Sequence, residues 1–302
     1  MTVAVCLEAD GVSVASVKRD HSGVPTLQFV DGGIFSSTEE RSSYLERRVR
    51  EQQLQNSPCM VVLSTDSYQL NQADLADLPV DEQRDAARWQ IRERIDYPPE
   101  EAVIDLFEIA PFGGEKRPQT YIVSASEKIL RDRIQLIEQS DLSVKAIDIP
   151  EFALRNICEL FTGDERGLAI LLLLEQSGVL VIVRDGTLYL VRWLSTGMDH
   201  LLPFVDGDDE TLNEQLDSIV LEIQRSFDYC ESTFHLPMVS RLLVAQTRRE
   251  IPDVVNYLND YLMTSVESLD FKDILVVPEN SHQLQLNQCL FAIGGALRQE
   301  NN

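Results

Sequence analysis

The chain has 302 residues, 44% of them hydrophobic and 25% charged, which is too long for one ordinary core and fits two lobes. Its formal net charge of −24 repels polyanions over about 8 Å at physiological salt, arguing against nonspecific binding to nucleic acid or anionic lipid. Five cysteines lie far apart, most in apolar runs such as VAVCLE and QCLFAI with no CxxC or cysteine–histidine ligand spacing, so they read as buried, reduced thiols.

The N-terminus, MTVAVCLEAD, has no basic region and carries Glu8, unlike a secretory signal. Thr2–Leu7 reads as an apolar strand, Gly11 as a turn, Val12–Val17 as a second strand and Thr26–Val30 as a third. A helix follows, capped by Thr38 with Glu39 and Glu40 in its first turn and an apolar stripe of Tyr44, Leu45, Val49 and Leu54. Cys59–Leu63 is the next strand.

The segment 68–142 reads as an inserted subdomain: a short strand, a helix over Asp81–Asp96, a strand Ala102–Ile109, the turn FGGEKRP, a strand Gln119–Ala125 and a helix Glu127–Gln139. Lys145–Ile149 returns to the first lobe, and Pro150 opens a helix at a favoured first position.

The opening order then recurs. Leu168–Leu174, Val179–Val183 and Thr187–Trp193 are strands, with Asp185-Gly186 as a hairpin turn. Asp209 or Thr211 caps a long helix burying Leu216, Ile219, Val220, Ile223 and Phe227, and Arg241–Ala245 is a further strand. The phrases LEADGV (7–12) and LEQSGV (174–179) mark the same place in each unit. Strand, strand, strand, helix, strand occurs twice, which predicts a duplicated bilobal α/β protein with both hairpins facing a central cleft. The expected divisions are 1–67 for the first lobe core, 68–142 for the insertion, 143–166 for the return and 167–302 for the second lobe.

This duplicated order resembles the actin-like, ribonuclease-H-like ATPase fold with an inserted small α+β subdomain. The phrases AARWQIRERIDYPPEEAVIDLFEI, KAIDIPEFALRN, LEIQRSFDYCESTF and CLFAIGGALRQ, in that order, resemble the PilM-like proteins of type IV pilus assembly, within them the MSHA branch. The likeness runs over nearly the whole chain. It implies a cytoplasmic scaffold, peripheral to the inner membrane, that captures the N-terminal peptide of a PilN-like single-pass membrane protein in a channel between the first lobe and the insertion, alongside other platform proteins. The related type II secretion protein GspL carries its own membrane segment. Here the longest uncharged apolar run, Leu168–Leu174, falls far short of the ~20 residues that span a bilayer, so direct insertion is not expected.

The resemblance also implies where ATP and magnesium would sit, and each part is altered. The first hairpin has Glu8 for Asp and Asp10 for Gly, beside Gly11 and Ser13. The second has Glu175, then Ser177 for Gly, before Gly178. The second-lobe turn reads Ala245-Gln246-Thr247 where a Gly-Gly pair is expected; Gly294 and Gly295 are compatible with a close helix approach. Losing two charge-assisted contacts of about 1.5–3 kcal/mol each lowers affinity roughly 10²–10⁴-fold. The expectation is a pseudo-ATPase with vestigial nucleotide binding and no catalytic residue. The alternative is an active ATPase using Glu8 and Glu175 as magnesium-water ligands.

For partner binding, Trp89, Tyr97 and Pro98 are candidates: a partner anchor and a rigid rim, or subdomain packing and a helix stop. Arg84, Arg88 and Arg92 form one helical stripe, read as a dock for an acidic partner or a solvated face. The carboxylates of DGDDE (206–210) lack the spacing of a calcium loop, and no metal-ligand pattern involves the four histidines.

Overall fold

Apolar runs at each end of the chain fold into two sheets of the same design. The computed structural model describes residues 1–299 except 9, 10, 22, 74, 76, 77, 110–117, 162–165 and 206–208, with the backbone alone for 80, 81, 209 and 252. In the first unit, β1 (Thr2–Leu7), β2 (Gly11–Arg19) and β3 (Pro25–Ile34) form an antiparallel meander. After α1 (Thr38–Glu51), β4 (Pro58–Leu63) joins parallel to β1. Ser37, one residue before the expected Thr38, caps α1: its Oγ accepts from the Glu40 N–H at 3.2 Å, because Ser37 keeps the extended backbone and Thr38 is already helical.

Next come β5 (Gln69–Ala73), α2 (Val80–Ile91), β6 (Ala102–Ile109) and β7 (Gln119–Ser126), then α3 (Glu127–Gln139), β8 (Ser143–Asp148) and α4 (Pro150–Cys158). Strands β5, β7 and β6 make a small antiparallel sheet covered by α2, whose Ala87 and Ile91 bury against Ala102, Ile104 and Ile122. Helix α2 ends at Ile91, short of the expected Asp96. The chain tightens there, with Arg94 N–H donating to Ile91 O at 2.8 Å, and Arg88 reaches the carbonyls of Pro99 at 2.6 Å and Ala102 at 2.9 Å. That inward clamp breaks the arginine stripe.

The second unit repeats the first. Strands β9 (Leu168–Leu173), β10 (Gly178–Arg184) and β11 (Thr187–Leu194) are followed by α5 (Met198–Leu201), α6 (Asp209–Phe234), β12 (Arg241–Gln246), α7 (Pro252–Tyr261) and β13 (Ser265–Ser268). The sheet orders are β3-β2-β1-β4-β8 and β11-β10-β9-β12-β13, each a meander joined to two parallel strands. Helices α8 (Gln283–Gln288) and α9 (Leu290–Ala296) close the chain.

One core runs through both units. Ala4, Cys6, Met60 and Val62 from the first sheet share a cluster with Ile170, Leu172, Val179 and Val181 from the second. Between the sheets lie α4 and α9, with Ala153, Leu154, Leu290 and Ile293 fully buried. Return strand and C-terminus are tied by an Arg298–Asp148 ion pair at 2.7 Å. Phe107 of the small sheet packs edge-on against Phe152 at 4.9 Å, and Ile109 is buried in the second lobe's outer core.

All five cysteines are buried. Burial pushes the Cys59, Cys230 and Cys289 thiols up to about 12 and Cys6 well above its usual value. Since the thiolate is the reactive form, the native protein at pH 8 should react only slowly with an aromatic disulfide reagent, and should release five equivalents once denatured. A rapid native reaction would mean that these strands open readily.

Candidate functional site

A cleft of about 600 Å³ opens between the lobes at the carboxyl ends of β1, β4 and β9. The first hairpin contributes Glu8, Val12 and Ser13, and the second contributes Leu174, Glu175 and Gln176. The end of β4 adds Leu63 to Asp66, and α8 and α9 add Gln285, Gln288, Cys289 and Phe291.

The six-letter repeat is not a structural repeat. Leu7 pairs with Val12, leaving 8–11 as the first loop, whereas Leu173 pairs with Gly178, leaving 174–177 as the second. Each loop closes with the same kind of bond: Glu8 N–H to Gly11 O at 3.0 Å, and Leu174 N–H to Ser177 O at 2.9 Å. The shared phrase is therefore threaded one residue out of phase. Glu8 is first in its loop and Glu175 second, so the two carboxylates are not equivalent. A one-residue slip in a strand reverses the face of every side chain, so Ser13 and Leu180, equivalent by phrase, point oppositely.

Chain 196–199 crossing over the second loop fixes the difference. Met198 N–H donates to Leu174 O at 2.7 Å and Asp199 N–H to Glu175 O at 2.9 Å. A Cβ on Gly197 would lie 2.4 Å from Ser177 N, so only glycine permits this crossing. The Glu175 carboxylate is paired with Arg248 Nε at 3.0 Å; Arg248 also reaches Asp199 at 3.7 Å, and Asp199 accepts from the Gln176 amide.

In the first loop, the Glu8 carboxylate lies over Gly11, where an added Cβ would come 3.2 Å from Glu8 Oε2. Arg41 donates to the Glu8 carbonyl at 2.9 Å. The expected role of Asp10 lies outside the described residues. Ser13 is 5% exposed, and its hydroxyl has no hydrogen-bond partner among the described residues. On the floor, burial and the nearby Glu8 both raise the thiol of Cys6.

Where a nucleotide base would need open backbone, the second-lobe turn is filled. The Gln246 side chain accepts from Ile251 N–H at 3.0 Å and donates to Ile251 O at 3.3 Å. The Thr247 hydroxyl donates to Leu173 O at 3.0 Å. Both residues are buried. Gly294 and Gly295 stand apart from the cleft wall: Gly294 meets the backbone of Ala153 in α4, and Gly295 meets Val62 and Ala4. Here they serve the close helix approach that the sequence allows, packing α9 on α4 and on the first sheet.

These residues fit a magnesium triphosphate poorly. Among the described lining residues the charged ones are all acids, namely Glu8, Asp66 and Glu175. A phosphate oxygen about 5 Å from one carboxylate meets about 3 kcal/mol of repulsion at an effective dielectric near 20. Among the described residues no group of three or more His, Cys, Asp or Glu is placed to hold a metal ion.

The partner-binding candidates lie on the small sheet's outer layer. Trp89 is 69% exposed with the Arg92 guanidinium 5.2 Å over its ring, so subdomain packing does not account for it. Tyr97 packs at the edge of the small core, and Pro98 is exposed beside it. Sequence reading missed Asp66 and Arg248. The available signal was position, since residues just beyond the carboxyl ends of β4 and β12 fall at the crevice of such a sheet.

No protein-family model matches the chain, and a search of curated proteins by sequence returns no match. Among solved structures it is similar to a PilM-PilN type IV pilus biogenesis complex at 18% identity, covering 98% of this chain and 97% of that one with a TM-score of 0.71. It is similar to the cytoplasmic domain of EpsL, an inner-membrane component of the type II secretion system of Vibrio cholerae (9% identity, 99% and 96% covered, TM-score 0.52). A Bacteroides thetaiotaomicron protein with an actin-like ATPase fold matches at 9% identity, 96% and 95% coverage and a TM-score of 0.50. These likenesses establish the fold: the chain has an actin-like ATPase fold.

Proposed function

We propose that this protein is a PilM-like scaffold of a type IV pilus assembly platform. It binds the N-terminal cytoplasmic peptide of a PilN-like inner-membrane protein and is held at the membrane by that partner. The observation that carries this reading is the end-to-end likeness to the PilM-PilN complex, which leaves almost none of either chain unmatched. Among the described residues no helix is long and apolar enough to cross a membrane, in keeping with attachment through a partner. The finer reading, from the ordered phrases of the sequence, is the MSHA pilus and its protein MshI.

On this reading the chain is a pseudo-ATPase, with the interlobe contacts kept and the phosphate grip lost. The acidic cleft wall and the buried Gln246–Ile251 turn support it. The second reading, a GspL-like secretion subunit, draws on the EpsL likeness.

The test is a fluorescence-anisotropy titration with two labelled peptides, the cytoplasmic N-termini of a PilN-like protein and of a secretion-platform partner. Saturable binding of the first alone is expected, and preference for the second would replace the pilus reading. Because Trp89 is exposed, Trp89→Ala should change stability by no more than about 0.5 kcal/mol. The same change should weaken peptide capture measurably; unchanged capture would remove Trp89 from the docking face.

A further inference from the structure

The outer face of the second lobe carries an exposed aromatic and apolar ridge where α6 meets α7. Tyr257 and Tyr261, one turn apart on α7, stack with their ring centroids 4.5 Å apart. Leu221 is exposed on α6, with Asp217 one turn before it and Gln224 one turn after it on the same stripe. Asp217 accepts from the Tyr257 hydroxyl at 2.8 Å, and the Gln224 amide donates to the Tyr261 carbonyl at 3.3 Å. That stripe therefore faces α7 and sets Leu221 beside the stacked rings. Met263, in the turn from α7 to β13, is 89% exposed, more than any other large hydrophobic side chain among the described residues.

Exposed apolar residues scattered singly need no explanation, but Leu221, Tyr261 and Met263 fall together, and tyrosine and methionine are enriched at the centres of protein interfaces. The ridge is also pre-organised. Tyr257 is anchored through its hydroxyl and Tyr261 through its carbonyl, so a partner meets rings already fixed, at low ordering cost.

The surroundings set the charge of that partner. Asp217 and Asp228 on the α6 stripe and Asp260 on α7 are exposed, and residues 251–264 contain no lysine or arginine. Arg225 of α6 is paired with Glu222 at 3.0 Å. A second copy suits this face poorly, since it would bring the same acids and a formal net charge of −24. A basic amphipathic helix suits it well. Its apolar stripe would lie along the ridge between the two helices, with lysine or arginine at its flanks against the aspartates.

We propose that the α6–α7 ridge docks a basic amphipathic helix of a partner protein. This goes beyond the scaffold reading, whose candidate anchor Trp89 lies on the insertion.

The test is fluorescence anisotropy on the full chain at physiological salt. The probe is a labelled leucine–lysine peptide patterned as an amphipathic helix. It is compared with a scrambled peptide of the same composition and with a leucine–glutamate peptide of the same pattern. Saturable binding of the patterned leucine–lysine peptide is expected, with both comparison peptides weaker by about tenfold or more. Tyr261→Ser combined with Met263→Ser should weaken it about tenfold, with little change in the urea midpoint because both side chains are exposed. Asp260→Lys should weaken the leucine–lysine peptide and strengthen the leucine–glutamate one, while Asp132→Lys, at an exposed position on α3, leaves both unchanged. In the saturated complex, hydrogen peroxide should oxidise Met263 more slowly than in the free protein, with exposed Met1 unaffected. Equal affinity for the patterned and scrambled peptides, or equal weakening by Asp260→Lys and Asp132→Lys, would mark general attraction to an acidic surface and overturn the proposal. So would an unprotected Met263 at saturation. Self-association lost in the double serine variant would also overturn it, by assigning the ridge to a second copy. Trp89→Ala should leave this binding unchanged, so that docking here and capture of a PilN-like peptide can fail separately; a loss would move the site to the insertion.

Discussion

Gly294→Ala is expected to destabilise the protein by about 3 kcal/mol or more, at or above the upper end of overpacking costs. The added Cβ would fall 2.1 Å from the carbonyl oxygen of Ala153 and 2.6 Å from its carbonyl carbon. Both are backbone atoms of α4, so no rotamer change can relieve the contact. Helix α9 would have to lift from α4, and those two helices are the packing between the sheets. The Asn156 Nδ2 bond to Gly294 O, 3.0 Å long and buried, would be lost with it. Alanine's better helix propensity returns about 1 kcal/mol and does not offset this. Gly295→Ala provides the contrast. Its Cβ would meet the Val62 methyl Cγ2 at 2.7 Å, which can turn about its side-chain torsion, and Ala4 Cβ at 3.0 Å, a milder contact than 2.1 Å on backbone. Urea denaturation of both variants should rank Gly294→Ala well below Gly295→Ala. Equal midpoints would mean that α9 does not seat on α4 at Gly294.

Glu151→Ala is expected to cost about 3 kcal/mol, whereas Glu151→Gln should be tolerated. Glu151 is 1% exposed in the first turn of α4. Its carboxylate accepts from the Tyr68 hydroxyl at 2.6 Å and from Trp193 Nε1 at 3.3 Å. Tyr68 leads into the small sheet and Trp193 lies on β11, so one side chain joins insertion, interlobe helix and second lobe. Alanine would leave the buried Tyr68 hydroxyl without an acceptor at about 1–3 kcal/mol and would also release the partly exposed Trp193 indole from its anchor. A glutamine amide oxygen can accept from both.

The pH dependence has a definite sign. Burial raises the Glu151 carboxyl above its ordinary value of 4.5, and the Tyr68 hydrogen bond only partly opposes this. The folded state therefore holds the proton more tightly than the unfolded state. Stability contributed by the protonated form is fully present below 4.5 and is lost as pH rises toward the folded value. Asp148 shifts the same way through burial, opposed by Arg298. Glu151→Gln should flatten the stability curve just above pH 4.5, measured by urea midpoints across the acid range. A steeper curve in the glutamine variant would contradict this assignment.

Both meanders were legible because their apolar runs end at strong turn signals. Asp185 and Gly186 adopt φ of 49° and 72°, the left-handed values that this dipeptide admits in a two-residue hairpin. Helix α6 was legible from its long apolar stripe, and Pro150 marked the start of α4. Strand β13 was not, since SVES is four residues long with one buried side chain, and its pairing with β12 comes from the sheet, not from its own pattern. Helix α2 ended early because tertiary contacts of Arg88 set its exit before Pro98 could. The hairpin phase was invisible for a different reason. Letter identity between LEADGV and LEQSGV suggested equivalent positions, while register is decided by the crossing of Gly197 over the second loop, more than 180 residues from the first. Gly294-Gly295 announced a close approach without naming its target, and only the packed structure identifies that target as Ala153.

The most direct test of the account is titration of the PilN-like N-terminal peptide into the protein with and without magnesium–ATP, with phosphate release followed in the same samples. A nucleotide-independent affinity with no phosphate released is the predicted result. Peptide binding that requires magnesium–ATP, accompanied by steady phosphate release, would contradict it.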